Sequence, residues 1–374
     1  MPLNGGHPEG DESWAWLYLA AAASAFAAYV VGLGFLARRG AGVLAVAALA
    51  LAIQLAPLGA PLLLSTDAWT YWGYGRIAAA YDANPYESEP SEFPDDAAFP
   101  YIGTEWHDTT SVYGPAFTLA SEPVALAAGE SEDAAAWIYK VLAALAVCGA
   151  AALAARLSAR KSFAWGFVGW NPLLALHFAG GGHNDAWMAV LVMVALALAA
   201  ARRRELAGAA WAIAIAVKWV PLALLPLRAL AERRRGLRVG YLGIAVAAAL
   251  VSGVATWRYG LAWLGAFGPL AGHAGEGTSF ALPRRLAAAG VPYELAVGLF
   301  VTAFAVAYLA LVREAWHGRA RLGLAAGLLL LATPYLVAWY VVWAVPVAAA
   351  ENDRAAQLLA LGLSAYLLPQ TVPI

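Results

Sequence analysis

Long apolar runs recur from one end of the chain to the other, and they limit the possible folds more than any other feature. Of the 374 residues, 62% are hydrophobic and 13% are charged, whereas a soluble domain usually carries about 25% charged residues. Runs such as 141–157 and 186–201 lack the two-residue alternation of barrel strands. Hydrocarbon offers backbone groups no partner, so a spanning chain must form helices or a closed barrel. The sequence therefore predicts an all-α, polytopic membrane protein.

Basic residues cluster in short hydrophilic gaps between the apolar runs. The positive-inside rule places such gaps in the cytoplasm. This puts the loop after the second span outside the cell membrane, and it predicts a multi-pass plasma-membrane protein. The gaps hold 17 of the 23 Lys and Arg residues, at positions 38–39, 156–161, 202–204, 228–238, 313–321 and 354.

The first outer loop, residues 65–112, is long and acidic. It holds nine carboxylates and a single arginine, Arg76. Loops of this length are usually functional or disordered, and the many aromatic residues favour order. Tryptophans of this loop are candidates to stack on a sugar, whereas an aromatic belt at the membrane interface accounts for most others.

Two apolar segments, 113–128 and 206–227, fit the charge pattern only if they do not cross the membrane as simple helices. We expect 113–128 to be a juxtamembrane helix broken by Pro115 and Pro123, and 206–227 to be a re-entrant hairpin that turns near Lys218. Segment 322–349 is expected to break at Pro334, because proline interrupts helices. We therefore expect about nine to thirteen membrane helices in one domain, residues 1–374, with the extracellular loop and juxtamembrane helices at 65–130.

Asp67 is the first candidate for chemistry. It follows the second span at its outer end, where partial desolvation would raise its pKa toward values useful to a general base. From position alone, a water-exposed acid at a helix end is the other interpretation.

Three cations outside the cytoplasmic clusters could bind a phosphate: Lys218, Arg284 and Arg285. Lys218 is the only cation within its apolar segment, so it is either functional or paired with a carboxylate. The two arginines lie in the second outer loop and could instead extend to the interface. His183 and Asp185 could hold hydroxyls or assist a base, but two ligands are too few to indicate a metal site.

Several short motifs follow one another in order between about residue 60 and residue 350. In this order the chain resembles the GT-C superfamily of membrane glycosyltransferases, and within it the actinobacterial polyprenol-phosphate-mannose-dependent α-mannosyltransferases. The motifs are Asp67 with an aromatic-Gly-Arg76 helix, Asn84-Pro85-Tyr86, Tyr113-Gly114-Pro115, Trp170-Asn171-Pro172-Leu173, Gly182-His183-Asn184-Asp185, Lys218-Trp219-Val220-Pro221, and Thr333-Pro334-Tyr335 followed by Trp339-Tyr340 and Trp343.

The resemblance implies an inverting transfer of a sugar, mannose by preference, from a polyprenyl-phosphate donor to a glycan or glycolipid acceptor on the outer face. Asp67 matches the general base, and Lys218, Arg284 and Arg285 are the expected phosphate ligands. No cofactor is expected, and metal independence is favoured over a divalent cation. Membrane lipid is an expected partner and nucleic acid is not. The residues expected to bind the acceptor or the sugar are His183, Asn184, Asp185, Arg76, Tyr71, Trp69, Asn84, Tyr86 and Tyr113.

Two alternatives remain open from the sequence. Another lipid-linked donor sugar, such as arabinofuranose, would need similar residues, and transfer to a protein or lipid acceptor stays open because no residue identifies the acceptor. A secondary transporter is a rival of a different class, but its polar site should lie at the bilayer midplane among repeats. Here the acids concentrate in one outer loop and no repeat is visible.

Overall fold

The fold is helical throughout the part of the chain that the structure describes. The computed structural model describes residues 13–62, 64–266, 268, 272 and 277–371. Short 3-10 helices connect the α-helices, at Ala56–Gly59, Pro90–Glu92, Phe99–Tyr101, Thr104–Trp106, Ala262–Ala266, Ala338–Trp343 and Leu368–Thr371. The α-helices in chain order are α1 (Ser13–Arg39), α2 (Val43–Leu55), α3 (Asp67–Tyr81), α4 (Pro115–Ala128), α5 (Glu132–Leu157), α6 (Lys161–Gly169), α7 (Pro172–Phe178), α8 (Asp185–Ala200), α9 (Arg204–Val217), α10 (Pro221–Arg234), α11 (Tyr241–Tyr259), α12 (Leu282–Ala288), α13 (Tyr293–Trp316), α14 (Leu322–Ala332), α15 (Val345–Glu351) and α16 (Arg354–Leu367).

Four of the described helices are long and apolar enough to cross a bilayer: α1, α5, α11 and α13. Four shorter apolar stretches accompany them, at Val43–Gly59, Asp185–Ala200, Leu322–Ala332 and Ala338–Glu351. Helices α11 and α13 leave most of their apolar surface uncovered by protein, as lipid-facing helices do. The prediction of a polytopic all-α membrane protein is confirmed.

Helix α5 forms the centre of the bundle. Most of its buried residues are alanines, among them Ala143, Ala146 and Ala150. Small side chains let neighbouring helices approach closely where lipid provides no hydrophobic driving force. Helices α6, α8 and α15 pack against α5 in this way.

Two expected interruptions are confirmed. Helix α9 ends at Val217, Lys218 adopts an extended backbone, and Pro221 opens α10 at a position where its missing N–H costs nothing. Helix α14 ends at Ala332, and an extended segment leads through Val337 into the 3-10 helix Ala338–Trp343. Both interruptions expose backbone beside one cavity, where irregular backbone is tolerated in a membrane protein.

The predicted break at Pro123 is wrong. Pro115 begins α4 and Pro123 lies within it, so residues Pro115–Ala128 form one helix. One internal proline removes one backbone hydrogen bond, and packing on both sides of α4 compensates for it. On one side Gly75 of α3 lies so close to the Ser121 carbonyl that a Cβ there would clash. On the other side Glu122 accepts hydrogen bonds from Arg258 and Tyr259 of α11.

The two ends of the bundle differ in charge. At one end of α5 the Glu132 carbonyl accepts a hydrogen bond from the Trp69 indole of the first outer loop. At the other end Leu157 lines a cavity of about 590 Å³. Arg228, Arg321 and other arginines from the basic gaps line the same cavity. A helix of 26 residues is about 39 Å long. The basic gaps and the first outer loop therefore lie at opposite ends of a helix long enough to span a membrane.

Candidate active site

A cavity of about 750 Å³ opens beside the start of α3. Its wall combines apolar and aromatic side chains with a few charged groups, as small-molecule sites usually do. The lining comes from six stretches of chain that the fold brings together: Leu64–Asp67 with Tyr71, Gly103–Trp106, Val112–Gly114, Asn184–Asp185, Val217–Val220, and a last stretch that contributes Thr333, Tyr335, Trp339, Tyr340 and Trp343.

Asp67 is the first residue of α3 and lies at the cavity wall. Its backbone N–H donates to the Ser65 hydroxyl at 3.1 Å, which fixes the start of the helix. Its Oδ2 lies 3.0 Å from Nδ1 of His183 and accepts a hydrogen bond from the Tyr71 hydroxyl at 3.2 Å. Within the described residues both contacts fall on Oδ2, so Oδ1 is the oxygen that remains for a substrate.

The expected rise in the pKa of Asp67 is wrong. Burial does raise the pKa of this carboxyl, but the hydrogen bond and charge of His183, the charge of Lys218 and the Tyr71 hydroxyl oppose it, and the net pKa is lowered. Burial also raises the pKa of Tyr71 well above its usual range, so Tyr71 keeps its proton and donates. Asp67 is therefore a carboxylate at neutral pH, and His183 Nδ1 must donate to it.

His183 is held rigidly behind Asp67. Its ring stacks on the Trp339 indole, with centroids 3.7 Å apart and planes 13° from parallel, and it is fully buried. Gly182 adopts a φ of +73°, which glycine tolerates best, and a Cβ at Gly181 would contact the His183 ring. The glycines before His183 thus provide the tight turn that brings its ring to Asp67.

Lys218 faces the same cavity from the interruption between α9 and α10. Its ammonium lies 2.8 Å from Oδ1 of Asp185 and 4.5 Å from the centroid of the Tyr340 ring. The Trp343 indole donates to the same Asp185 oxygen at 2.6 Å. From the sequence, Lys218 was either functional or paired with a carboxylate, and the structure shows an ion pair between Lys218 and Asp185. One fifth of the Lys218 side chain is nevertheless exposed, toward the cavity.

The structure brings together about half of the predicted site residues. Asp67, Tyr71, Tyr113, Asn184, Asp185 and Lys218 line the cavity, and His183 contacts Asp67 from behind it. Arg284 and Arg285 do not line the cavity. They are exposed on α12, where their guanidinium groups lie over the rings of Tyr293 and Phe280.

Four other predicted residues lie outside the cavity wall and make structural contacts. Arg76 forms a buried ion pair with Asp96 and donates to a backbone carbonyl. The Trp69 indole also donates to a backbone carbonyl. Asn84 donates to the Tyr259 carbonyl of α11 at 2.8 Å, and Tyr86 donates to backbone or hydroxyl oxygens near the start of α4.

Sequence reasoning did not name several side chains that line the cavity. Trp339, Tyr340 and Trp343 were recognised only as parts of a motif, and the signal that could have placed them is Pro334, which unwinds the helix before them. Glu105 is a third carboxylate of the cavity lining, after Asp67 and Asp185, and it is exposed at the rim. It is one of nine acids in its loop, and nothing in its sequence neighbourhood distinguishes it.

The arrangement supplies two functions that group transfer needs. Asp67 is an ionised, oriented carboxylate that can accept a proton, and Lys218 is a cation that can stabilise an anion in a water-poor site. Among the described residues, no three His, Cys, Asp or Glu side chains lie together as a metal site would require.

Comparison with known proteins identifies relatives of the chain. The sequence model of the family described as alpha-(1->6)-mannopyranosyltransferase, N-terminal domain, matches residues 9–234, which is more than half of the chain. The chain is also 30% identical, over 353 aligned residues, to alpha-(1->6)-mannopyranosyltransferase A of Mycobacterium tuberculosis (strain ATCC 25618 / H37Rv). That alignment covers 83% of this chain and 67% of the relative. No solved structure matches significantly. The chain therefore belongs to the alpha-(1->6)-mannopyranosyltransferase family.

Proposed function

We propose that this chain is a mannosyltransferase that moves mannose from a polyprenyl-phosphate donor to a glycan or glycolipid acceptor, with inversion at the anomeric carbon. Membership of the mannopyranosyltransferase family supports the sugar and the reaction class. The observation that carries the mechanism is a single cavity that holds an ionised Asp67, oriented by His183, together with Lys218.

In the proposed reaction, an acceptor hydroxyl attacks the anomeric carbon of the donor sugar. A bond forms between the acceptor oxygen and that carbon as the bond from the carbon to the phosphate oxygen breaks on the opposite side. The acceptor proton passes to Oδ1 of Asp67, and the electron pair of the broken bond leaves with the polyprenyl phosphate. Lys218 stabilises the charge of that leaving phosphate. No metal is assigned to any step.

The aromatic side chains of the cavity suit a sugar. Among the described residues of the first outer loop, Trp106 is the one indole that reaches the wall, and Tyr335 and Trp339 lie on the opposite stretch of chain. We propose that they contact the apolar faces of the donor and acceptor sugars. Glu105 at the rim is placed to accept hydrogen bonds from sugar hydroxyls.

The proposed location is the plasma membrane, with the cavity facing outside. The separation of the basic gaps from the cavity along α5 supports this orientation, because the positive-inside rule assigns the basic end to the cytoplasm. A reporter fused after Arg354 should respond as cytoplasmic. Accessibility of a cysteine introduced at Asp108 to a membrane-impermeant thiol reagent in whole cells should indicate an outer face; protection of that cysteine would contradict the orientation.

The direct test uses purified protein, radiolabelled polyprenyl-phosphate mannose and short mannan acceptors. We expect label in the acceptor, with the anomeric configuration of the product inverted relative to the donor. Parallel reactions with a polyprenyl-phosphate arabinofuranose donor test the alternative sugar. Absence of transfer from every lipid-linked sugar would refute the enzyme proposal, and accumulation of a solute in proteoliposomes would favour a transporter.

Two variants test the assigned roles. Asp67→Asn should abolish turnover while donor binding stays nearly intact, and Asp108→Asn in the same loop is the matched control. Lys218→Gln should raise the KM for the donor more than it lowers kcat at saturation. Chelator treatment should leave the rate unchanged, and a rate restored only by a divalent cation would overturn the metal-independent mechanism.

A further inference from the structure

A groove of about 370 Å³ lies at the basic end of the bundle, far from the Asp67 cavity, between α1, α6 and α16. One part of its wall is polar and contains Arg160, Arg354, Asn352 and Gln357. The other part is apolar and consists of Val30, Leu33, Phe163, Phe167, Leu358 and Leu361.

The polar and apolar parts of the groove lie for the most part at different levels along α1, α6 and α16. The Ser162 hydroxyl at the start of α6 donates to the Ala41 carbonyl just after α1, and the Ser158 hydroxyl donates to Asn352 just before α16. The basic end of α1 and the first turns of α6 and α16 therefore lie at one level. Arg160 and Arg354 stand at that level together with Phe163, which lies in the first turn of α6. The other apolar residues of the groove lie at least one turn further along their helices: Val30, Leu33, Phe167, Leu358 and Leu361.

Within the described residues, the two arginines of the groove have no acidic partner, in contrast to two other arginines at the same end of the bundle. Arg228 pairs with Glu232, and Arg321 pairs with Asp353 at 2.6 Å. Across the described residues, neither Arg160 nor Arg354 forms an ion pair, and the Arg160 guanidinium lies over the Phe163 ring at 4.5 Å. Both are exposed. Their charge is available to an anion that approaches along the membrane surface.

The apolar part of the groove is open at Gly34. A Cβ at this position would meet no atom within 4 Å, although Gly34 lies within a helix and lines the groove. The gap is thus continuous with the polar part and has room for an alkyl chain beside α1.

We propose that this groove binds an anionic phospholipid of the leaflet at the basic end of the protein, which the positive-inside rule identifies as cytoplasmic. Arg160 and Arg354 bind the phosphodiester, and Asn352 and Gln357 can hydrogen bond to the headgroup. One acyl chain lies against Gly34 and the apolar wall. Basic pockets between transmembrane helices on the cytoplasmic side are suited to anionic headgroups, and the charge and the shape of this groove both match an amphipathic anion.

The test is native mass spectrometry of the full chain with an equimolar mixture of phosphatidylglycerol and phosphatidylcholine that carry the same acyl chains. We expect phosphatidylglycerol to be retained in preference. Arg160→Gln and Arg354→Gln should each lower that preference roughly fivefold, since a basic residue near the surface contributes about that factor to the attraction of an anionic lipid. Arg156→Gln, which neutralises a neighbouring arginine outside the groove, should leave it unchanged.

Gly34→Leu tests the acyl chain independently of charge. Leucine favours a helix more than glycine does, so this variant should fold, and it should lose the bound lipid of either headgroup. Gly298→Leu is the control, because a Cβ at Gly298 also meets no atom within 4 Å but lies on α13. Equal retention of the two lipids by the wild type, or unchanged retention by Gly34→Leu, would overturn the proposal. So would displacement of the lipid by inorganic phosphate, because it would show that the site needs only an anion.

Discussion

The contact between His183 and Asp67 allows the base assignment to be tested through a residue that does not line the cavity. His183 donates to Asp67 and also stacks on Trp339, and two substitutions separate these contacts. His183→Phe keeps an aromatic ring for the stack and removes the donor. His183→Asn keeps an amide donor near the position of Nδ1 and removes the ring.

A hydrogen bond to a charged group contributes about 1.5–3 kcal/mol. If that energy holds Asp67 in its productive orientation, His183→Phe should lower kcat roughly 10- to 150-fold. His183→Asn should retain most of the rate. His183→Phe should also raise the pKa of Asp67. Burial raises this pKa, and the substitution removes the hydrogen bond and the charge of His183, which lower it.

The assay is transfer of labelled mannose from polyprenyl-phosphate mannose as a function of pH. A base is active when deprotonated, so kcat/KM falls as the pH drops through the pKa of Asp67, and this acid limb should move to higher pH in His183→Phe. His107→Phe is the matched control, since the His107 ring also contacts an aromatic ring, that of Phe99 in the outer loop. A wild-type rate in His183→Phe, or a greater loss in His183→Asn, would refute the reasoning and assign the role to the stack on Trp339.

Three further outcomes follow from the geometry. The pKa of Asp67 is lowered from 3.8, so Asp67 should cause no fall in wild-type kcat/KM between about pH 8 and pH 5. A fall in kcat/KM in that range that disappears in Asp67→Glu would contradict this. Asp96→Asn leaves the buried Arg76 without its ion-pair partner, so it should lower the free energy of unfolding by about 3 kcal/mol. The melting temperature should fall, with little change in kcat of the folded fraction; an unchanged melting temperature would argue against the buried pair. A Cβ at Gly114 would clash with the backbone of α9, so Gly114→Ala should lower the free energy of unfolding by about 1–3 kcal/mol and raise the donor KM. Gly253→Ala should do neither, because a Cβ at Gly253 meets no atom within 4 Å.

The helical membrane fold could be predicted because hydrocarbon removes the alternatives, and the breaks at Lys218 and after Ala332 could be predicted because proline has a local effect. Pro123 shows the limit of that reasoning. Whether a proline ends a helix depends on what packs against it, and the contacts of α4 with α3 and α11 join residues far apart in the sequence.

The candidate site was predictable where a residue stands at a defined place in the topology. Asp67 at the outer end of the second span and His183 after three glycines are such residues. Arg76, Asn84 and Tyr86 belong to the same motifs, but their partners are a distant carboxylate and backbone carbonyls. A motif gives the type and order of its side chains, and it does not say which of them face the cavity. For the same reason the pKa of Asp67 was misjudged, since its neighbours His183 and Lys218 come from other parts of the chain.

The pairing of Lys218 with Asp185 has a consequence for turnover. If Lys218 binds the donor phosphate as proposed, that phosphate would have to compete for the ammonium with the Asp185 carboxylate, which lies 2.8 Å away. After transfer, the same carboxylate would compete with the departing polyprenyl phosphate for the ammonium. In the proposed reaction Asp185 would thereby weaken product retention. We expect Asp185→Asn to bind donor more tightly and to slow the release of the spent carrier, so that a burst of product precedes a reduced steady-state rate.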